Sequence, residues 1–190
     1  MLKLRRRAAL AAGGTLLAAA LARKLVLARA GEGGLVGKLP PASEAPPGGT
    51  ALPALRFTTA DGASRTLADY AGQGVVLNLW ATWCDPCVRE MPALDQLARL
   101  VVDDRIAVLP LSSDRAGAPV VERFYRDHGI RGLPVLVDPD GAAARALEVN
   151  GIPTTLIVDR AGRERARLEG AQPWSDPGMV AAIRRAVAPG

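Results

Sequence analysis

The chain reads as an α/β protein, with a mixed central sheet flanked by helices and an N-terminal β-hairpin. Three observations lead there. Short apolar runs alternate with amphipathic runs of helical spacing through most of the second half of the chain. Two runs near the C-terminus are joined by a tight Ala161-Gly162 turn, which makes them antiparallel and the sheet mixed. No internal repeat is visible that would point to a solenoid or propeller.

In order, Leu55 to Thr59 is the first strand, and the Asp61-Gly62 turn returns the chain into a second short strand ending near Leu67. Ala68 to Ala71 is a helical turn. Val75 to Trp80 is continuously apolar apart from Asn78 and suits a central strand covered on both faces. Pro86 to Val102 is an amphipathic helix, with Pro92 expected to kink it. Ile106 to Ser112 is a second apolar strand, and Pro119 to His128 a helix closed by Gly129. Val135 to Asp138 is a short strand and Gly141 to Leu147 a short helix. Thr154 to Asp159 and Arg163 to Glu169 are the hairpin strands, and Pro177 to Val187 is the final helix.

Charge divides the chain. Residues 1–38 carry eight basic residues against the single acid Glu32, a net charge of +7, and no lysine follows Lys38. The remaining residues hold 16 arginines and 18 acids, so the basic pI belongs to the leader and the domain is not a basic nucleic-acid binder. Lys3 to Arg7 form a basic stretch. Ala8 to Ala22 is an uncharged apolar run of 15 residues closed by Arg23 and Lys24. That is short for a bilayer span of about 20 residues and suits the apolar region of a signal peptide. Ala28-Arg29-Ala30 offers a small-x-small cleavage site, and Arg5-Arg6-Arg7 loosely resembles a twin-arginine export signal. Residues 1–30 are therefore expected to be a signal peptide or an N-terminal membrane anchor, with 31–50, rich in Gly, Pro, Ala and Ser, a flexible tether and 51–190 the domain. Either leader places the domain outside the cytoplasmic membrane, where disulfide chemistry operates.

The only two cysteines, Cys84 and Cys87, stand at C-x-x-C spacing between the Val75–Trp80 run and the following helix. A thiol at a helix N-terminus is favoured as thiolate by the dipole and the free N–H groups, and its partner one turn further in can close a disulfide on it. Structural zinc needs four ligands, and the chain adds only one histidine, His128, to the pair. A purely structural bridge over so short a loop removes little unfolded-state entropy. Copper(I) on two thiolates is the alternative that ligand chemistry leaves open. Asp85 between the cysteines opposes the helix dipole, so Cys84 is not expected to be strongly acidic. Pro86 fits the first helical turn, where its missing N–H costs little, and stiffens the loop. Glu90 returns to the face of Cys87 three residues on.

The strings Val76-Leu77-Asn78-Leu79-Trp80-Ala81-Thr82-Trp83-Cys84, Pro86-Cys87, Glu90-Met91-Pro92-Ala93-Leu94, Gly151-Ile152-Pro153-Thr154-Thr155 and the segment Gly170 to Trp174 resemble thioredoxin-fold thiol–disulfide oxidoreductases of the TlpA/ResA type. The likeness covers roughly residues 52–188 and is nearest the TlpA branch. It implies a thioredoxin fold in which the Leu111 to Glu148 segment is the insertion relative to plain thioredoxin. It implies that Cys84 is the exposed nucleophile, that Cys87 is the buried resolving thiol and that Glu90 assists proton transfer. Asn78 stands where ordinary thioredoxins carry a buried Asp, and an amide cannot take that proton, which leaves Glu90 as the base. The Ile152-Pro153 bond is expected to be cis, with its backbone free to pair with an extended substrate, so Trp83, Pro86, Ile152, Pro153 and Thr154 are the expected substrate-binding residues. No cofactor or metal is implied beyond the cysteine pair. The partners implied are client disulfides in a copper chaperone, an oxidase subunit or apocytochrome c, and a transmembrane thiol donor of the DsbD/CcdA type. Arg115, Arg123, Arg126 and Arg131 are a candidate docking face on the insertion, against the simpler reading of a solvated charged surface. His128 is read as a capping or surface residue.

Overall fold

The computed structural model describes residues 48–188. The leader and the tether as far as residue 47 lie outside the described residues. Thr50–Ala51 (β1) opens the domain, followed by the hairpin Arg56–Thr59 (β2) and Ser64–Thr66 (β3) and a 3-10 turn at Leu67–Tyr70. Gly74–Trp80 (β4) leads into Asp85–Leu100 (α1), then Ile106–Ser112 (β5), Ala118–His128 (α2), Leu136–Val137 (β6) and Ala142–Ala146 (α3). Thr154–Val158 (β7), Arg163–Glu169 (β8) and Pro177–Ala186 (α4) complete it.

Among the described residues the strands form one eight-stranded sheet in the order β1-β8-β7-β4-β5-β6-β2-β3. β4 pairs parallel with β5 and antiparallel with β7, so the sheet is mixed and β4 lies inside it, buried at every residue. The period of two sends alternate side chains to opposite faces. Val76 and Trp80 meet α1, α2 and α4 in one apolar cluster, while Val75, Leu77 and Leu79 meet the hairpin and α3 in the other. Asn78 falls between Val76 and Trp80, on the face that α1 covers.

The insertion ties the hairpin into the sheet. Its strand β6 pairs parallel with β5 and antiparallel with β2. Asp138 directly follows β6 and caps α3, accepting hydrogen bonds from the N–H groups of Ala142 and Ala143 at 3.0 and 2.7 Å.

Two details differ from the sequence reading. The domain begins at least at Thr50, inside the stretch assigned to the tether, because β1 pairs with Glu164 and Arg163 of β8. α1 runs through Pro92, which stands exposed within it, but ends at Leu100 rather than Val102. There the chain turns through Val102–Asp104 into Arg105, whose φ of 56° no helix can continue. Among the described residues no helix is long and apolar enough to cross a membrane.

Candidate active site

The cysteine pair sits where the central strand becomes the first long helix. Cys84 is the N-cap of α1, and its Sγ accepts the N–H of Cys87 at 3.4 Å. Pro86 lies in the first turn and is half-buried, and Asp85 is exposed. The two sulfurs are joined as a disulfide, with their Cα atoms 5.3 Å apart. The loop ahead of Cys84 is pinned to the end of β5. Asp114, itself buried, accepts hydrogen bonds from the Thr82 N–H at 2.9 Å, the Thr82 hydroxyl at 2.7 Å and the Ser112 hydroxyl at 2.7 Å.

The structure brings the Ile152 loop onto the pair. The Ile152–Pro153 peptide bond is cis, and the Ile152 carbonyl oxygen lies 3.6 Å from Cys84 Sγ. Cys84 is consequently only 6% exposed, against 0% for Cys87, so the exposed sulfur expected from the sequence is in this state largely covered. The accessible group beside it is Trp83, 67% exposed. Pro153 and Thr154 are buried, and the Thr154 hydroxyl turns back to donate to the Gly151 carbonyl at 2.7 Å. What this loop offers a partner is therefore backbone and the half-buried Ile152 rather than the Thr154 side chain.

Glu90, one turn after Cys87, is buried against β4, at 4% exposure. Its Oε1 accepts from Asn78 Nδ2 at 3.0 Å, and its Oε2 accepts from the Gln172 N–H at 2.8 Å and the Trp174 indole N–H at 2.9 Å. Asn78 Nδ2 also donates to the Thr155 hydroxyl at 2.8 Å, and Asn78 Oδ1 has no partner among the described residues. Burial pushes the Glu90 carboxyl above its ordinary value, and the three hydrogen bonds pull it back without cancelling the rise. Asn78 was legible as a residue that cannot take a proton; that its amide would hold Glu90 was not. Gln172 and Trp174 carried no sequence signal beyond the Gly170–Trp174 string itself. Asp114 follows the polar pair Ser112-Ser113 at the end of a parallel strand beside the site loop, and that position was its available signal.

A stability test follows from the burial of Glu90. A carboxyl whose folded-state pKa lies above its unfolded value contributes stability while protonated, and loses it as pH rises through the folded value. Glu90→Gln keeps an acceptor for Gln172 and Trp174, and its amide faces Asn78, whose free Oδ1 can turn to meet it. The variant should gain in melting temperature relative to the native protein as pH is raised from about 5 to about 8, starting just above the ordinary carboxylate value. A difference constant over that range would contradict the assignment.

His128 stacks on Phe124 with ring centroids 4.0 Å apart, and its Nδ1 lies 3.0 Å from the Phe124 carbonyl oxygen. It is exposed at the end of α2, as are Arg115, Arg123, Arg126 and Arg131 on the insertion. Among the described residues no three His, Cys, Asp or Glu side chains are grouped to hold a metal ion.

Residues 48–166 match the AhpC/TSA family, a span of the chain that holds both cysteines, Glu90 and the Ile152 loop. The chain belongs to the AhpC/TSA family. Thiol-disulfide oxidoreductase ResA of Geobacillus kaustophilus (strain HTA426) is 32% identical over 130 residues, 67% of this chain and 72% of that protein. The crystal structure of a thiol:disulfide interchange protein named DsbE, from Chlorobium tepidum, superposes with a TM-score of 0.65 at 25% identity, over 74% of this chain and 97% of the other. The exposed lipoprotein thioredoxin Etrx1 of Streptococcus pneumoniae strain TIGR4 gives 0.57 at 27% identity, over 71% and 98%. Within the AhpC/TSA family the chain is of the TlpA/ResA type, has the thioredoxin fold, and is a thiol–disulfide oxidoreductase.

Proposed function

We propose that this oxidoreductase is a membrane-tethered reductant facing the periplasm, which keeps client cysteines reduced for copper-site assembly in an oxidase or for cytochrome c maturation. The observation that carries the chemistry is the placement of Cys84 at the N-cap of α1 under the Ile152 carbonyl, with Cys87 buried behind it. The tether rests on the basic and apolar leader. In this reading the Ala8–Ala22 run behind its basic stretch holds the protein to the membrane. That one relative is named an exposed lipoprotein supports the same location.

In the forward direction the Cys84 thiolate attacks one sulfur of the client disulfide. A bond forms between the two sulfurs, and the other client sulfur leaves as thiolate and takes a proton. Cys87 then gives its proton to the Glu90 carboxylate and attacks Cys84 Sγ. The mixed disulfide breaks, the second client thiolate leaves and is protonated, and the Cys84–Cys87 disulfide remains. Two electrons have passed to the client, and no cofactor takes part. A reductant on this side of the membrane needs recharging, which assigns the return step to a transmembrane thiol donor of the DsbD/CcdA type. Clients are proteins with cysteine pairs, a copper chaperone, an oxidase subunit or apocytochrome c, and not nucleic acid.

Cys87→Ser in the native cell tests the reading, since it leaves Cys84 to attack and nothing to resolve the product. Mass spectrometry of the disulfide-linked complexes should find a copper-site or cytochrome client. Complexes lacking any such protein overturn the client assignment. If no mixed disulfide forms and the purified protein instead holds copper(I) on Cys84 and Cys87, the metallochaperone alternative replaces it.

A further inference from the structure

The segment between β8 and α4 bonds both the loop that covers Cys84 and Glu90, one turn after Cys87. Gly170 N–H donates to the Pro153 carbonyl at 2.9 Å, which ties the segment to the loop over Cys84. Two and four residues on, the Gln172 N–H and the Trp174 indole N–H close on Glu90 Oε2. The Gln172 side chain folds back on the carbonyls of Glu169 and Gly170 at 3.1 and 3.0 Å and stiffens the span. Trp174 is fully buried in the cluster that holds Cys87 and Met91, so packing sets the direction of its N–H.

Trp80 provides an internal comparison. It is equally buried in the same cluster, yet its Nε1 has no partner among the described residues. An indole N–H is a donor only, so the bond from Trp174 favours a carboxylate oxygen. We propose that Trp174 is a positioning residue for the exchange reaction: its indole N–H holds Glu90 Oε2 in the place from which the carboxylate takes the proton of Cys87. The inference rests on Glu90 acting as the base.

The surroundings of Glu90 are otherwise uncharged. β4 contributes Asn78, β7 contributes Thr155, and the 170–174 segment contributes an amide and an indole. On Glu90's own helix Cys87, a thiol once the disulfide is reduced, stands three residues before it. Glu169 and Asp176, the acids on either side of 170–174, are exposed, Asp176 accepting from the N–H groups of Gly178 and Met179, and none of the four ion pairs among the described residues includes Glu90.

The test is the pH profile of the second step alone, read by stopped flow as release of the second peptide thiol when the pre-reduced protein meets a saturating disulfide-linked peptide, so that attack by Cys84 is not rate-limiting. Trp174→Phe keeps an aromatic ring in the cluster and removes the donor, with a loss of packing that Trp80→Phe matches. Its acidic limb should move up by about one pH unit, a loss of about tenfold in rate on the acidic side that recovers in alkali. Trp80→Phe should lower the melting temperature without moving the limb. Glu90→Gln should abolish the limb, and adding Trp174→Phe to it should change nothing more. If Glu90→Gln keeps the native profile, the base is not Glu90 and the reading beneath the inference fails. If Glu90→Gln loses the limb but Trp174→Phe keeps it in place, the positioning role of Trp174 is overturned. Should Trp174→Phe not fold, replacing every tryptophan by its benzothienyl analogue keeps the bicyclic shape and removes the N–H. Trp80 has no partner to lose and Trp83 is exposed, so a shifted limb then supports Trp174 and an unmoved one excludes it.

Discussion

Cys84→Ser is expected to reduce disulfide reduction by the purified protein to the uncatalysed background, because a serine hydroxyl at the α1 N-cap supplies no thiolate to attack sulfur. Cys87→Ser is expected to fail differently. Attack by Cys84 is retained, so one equivalent of peptide is captured as a stable mixed disulfide and turnover then stops. The asymmetry follows from position. Cys84 Sγ lies at the helix N-terminus beside the Ile152 carbonyl and the exposed Trp83, while Cys87 has no accessible surface. Capture is measured by gel shift without reductant and by intact mass. Equal capture by the two serine variants would contradict the assignment of nucleophile and resolving thiol.

Trp80→Ala is the substitution expected to cost most stability. Trp80 is fully buried at the end of the central strand, with Phe124 tilted against it at 5.1 Å and Tyr125 stacked at 6.1 Å. Truncation removes the apolar surface of the ring and leaves a cavity that α2 can fill only by moving, a combination that costs about 3–5 kcal/mol. For a domain of this size that corresponds to a fall in melting temperature on the order of 10 °C. The Trp80 N–H has no partner to lose, so the whole cost is packing and dispersion. Urea unfolding of the oxidised protein measures it, and a cost below about 1 kcal/mol, outside the range for buried aromatic truncation, would contradict the packing account.

The elements that position the site were legible because each repeats its pattern within a short window. The apolar run Val75 to Trp80 became β4, and the helical spacing after Cys87 became α1, with Cys87, Glu90, Met91 and Leu94 on its buried side. β1 escaped notice because two residues carry no periodicity, and pairing with β8 alone holds them in the sheet. The burial of Cys84 escaped for a related reason. It depends on a loop that arrives 68 residues later in sequence. Glu90 could be chosen from its spacing to Cys87, but two of its hydrogen-bond donors come from 82 and 84 residues away, brought there by the β7–β8 hairpin. Asn78 shows the limit of reading residue types alone. Its amide excluded it as an acid and said nothing of which neighbour it would bind, and pleating and the placement of α1 decided that.

The claim that this enzyme works as a reductant is tested most directly by the redox state of Cys84 and Cys87 in growing native cells. Acid quenching followed by alkylation of free thiols fixes that state before lysis. A mainly dithiol pool is expected, collapsing to disulfide when the proposed transmembrane thiol donor is deleted. A pool that stands fully as disulfide with the donor intact would contradict the claim, and would make the protein an oxidant of its clients.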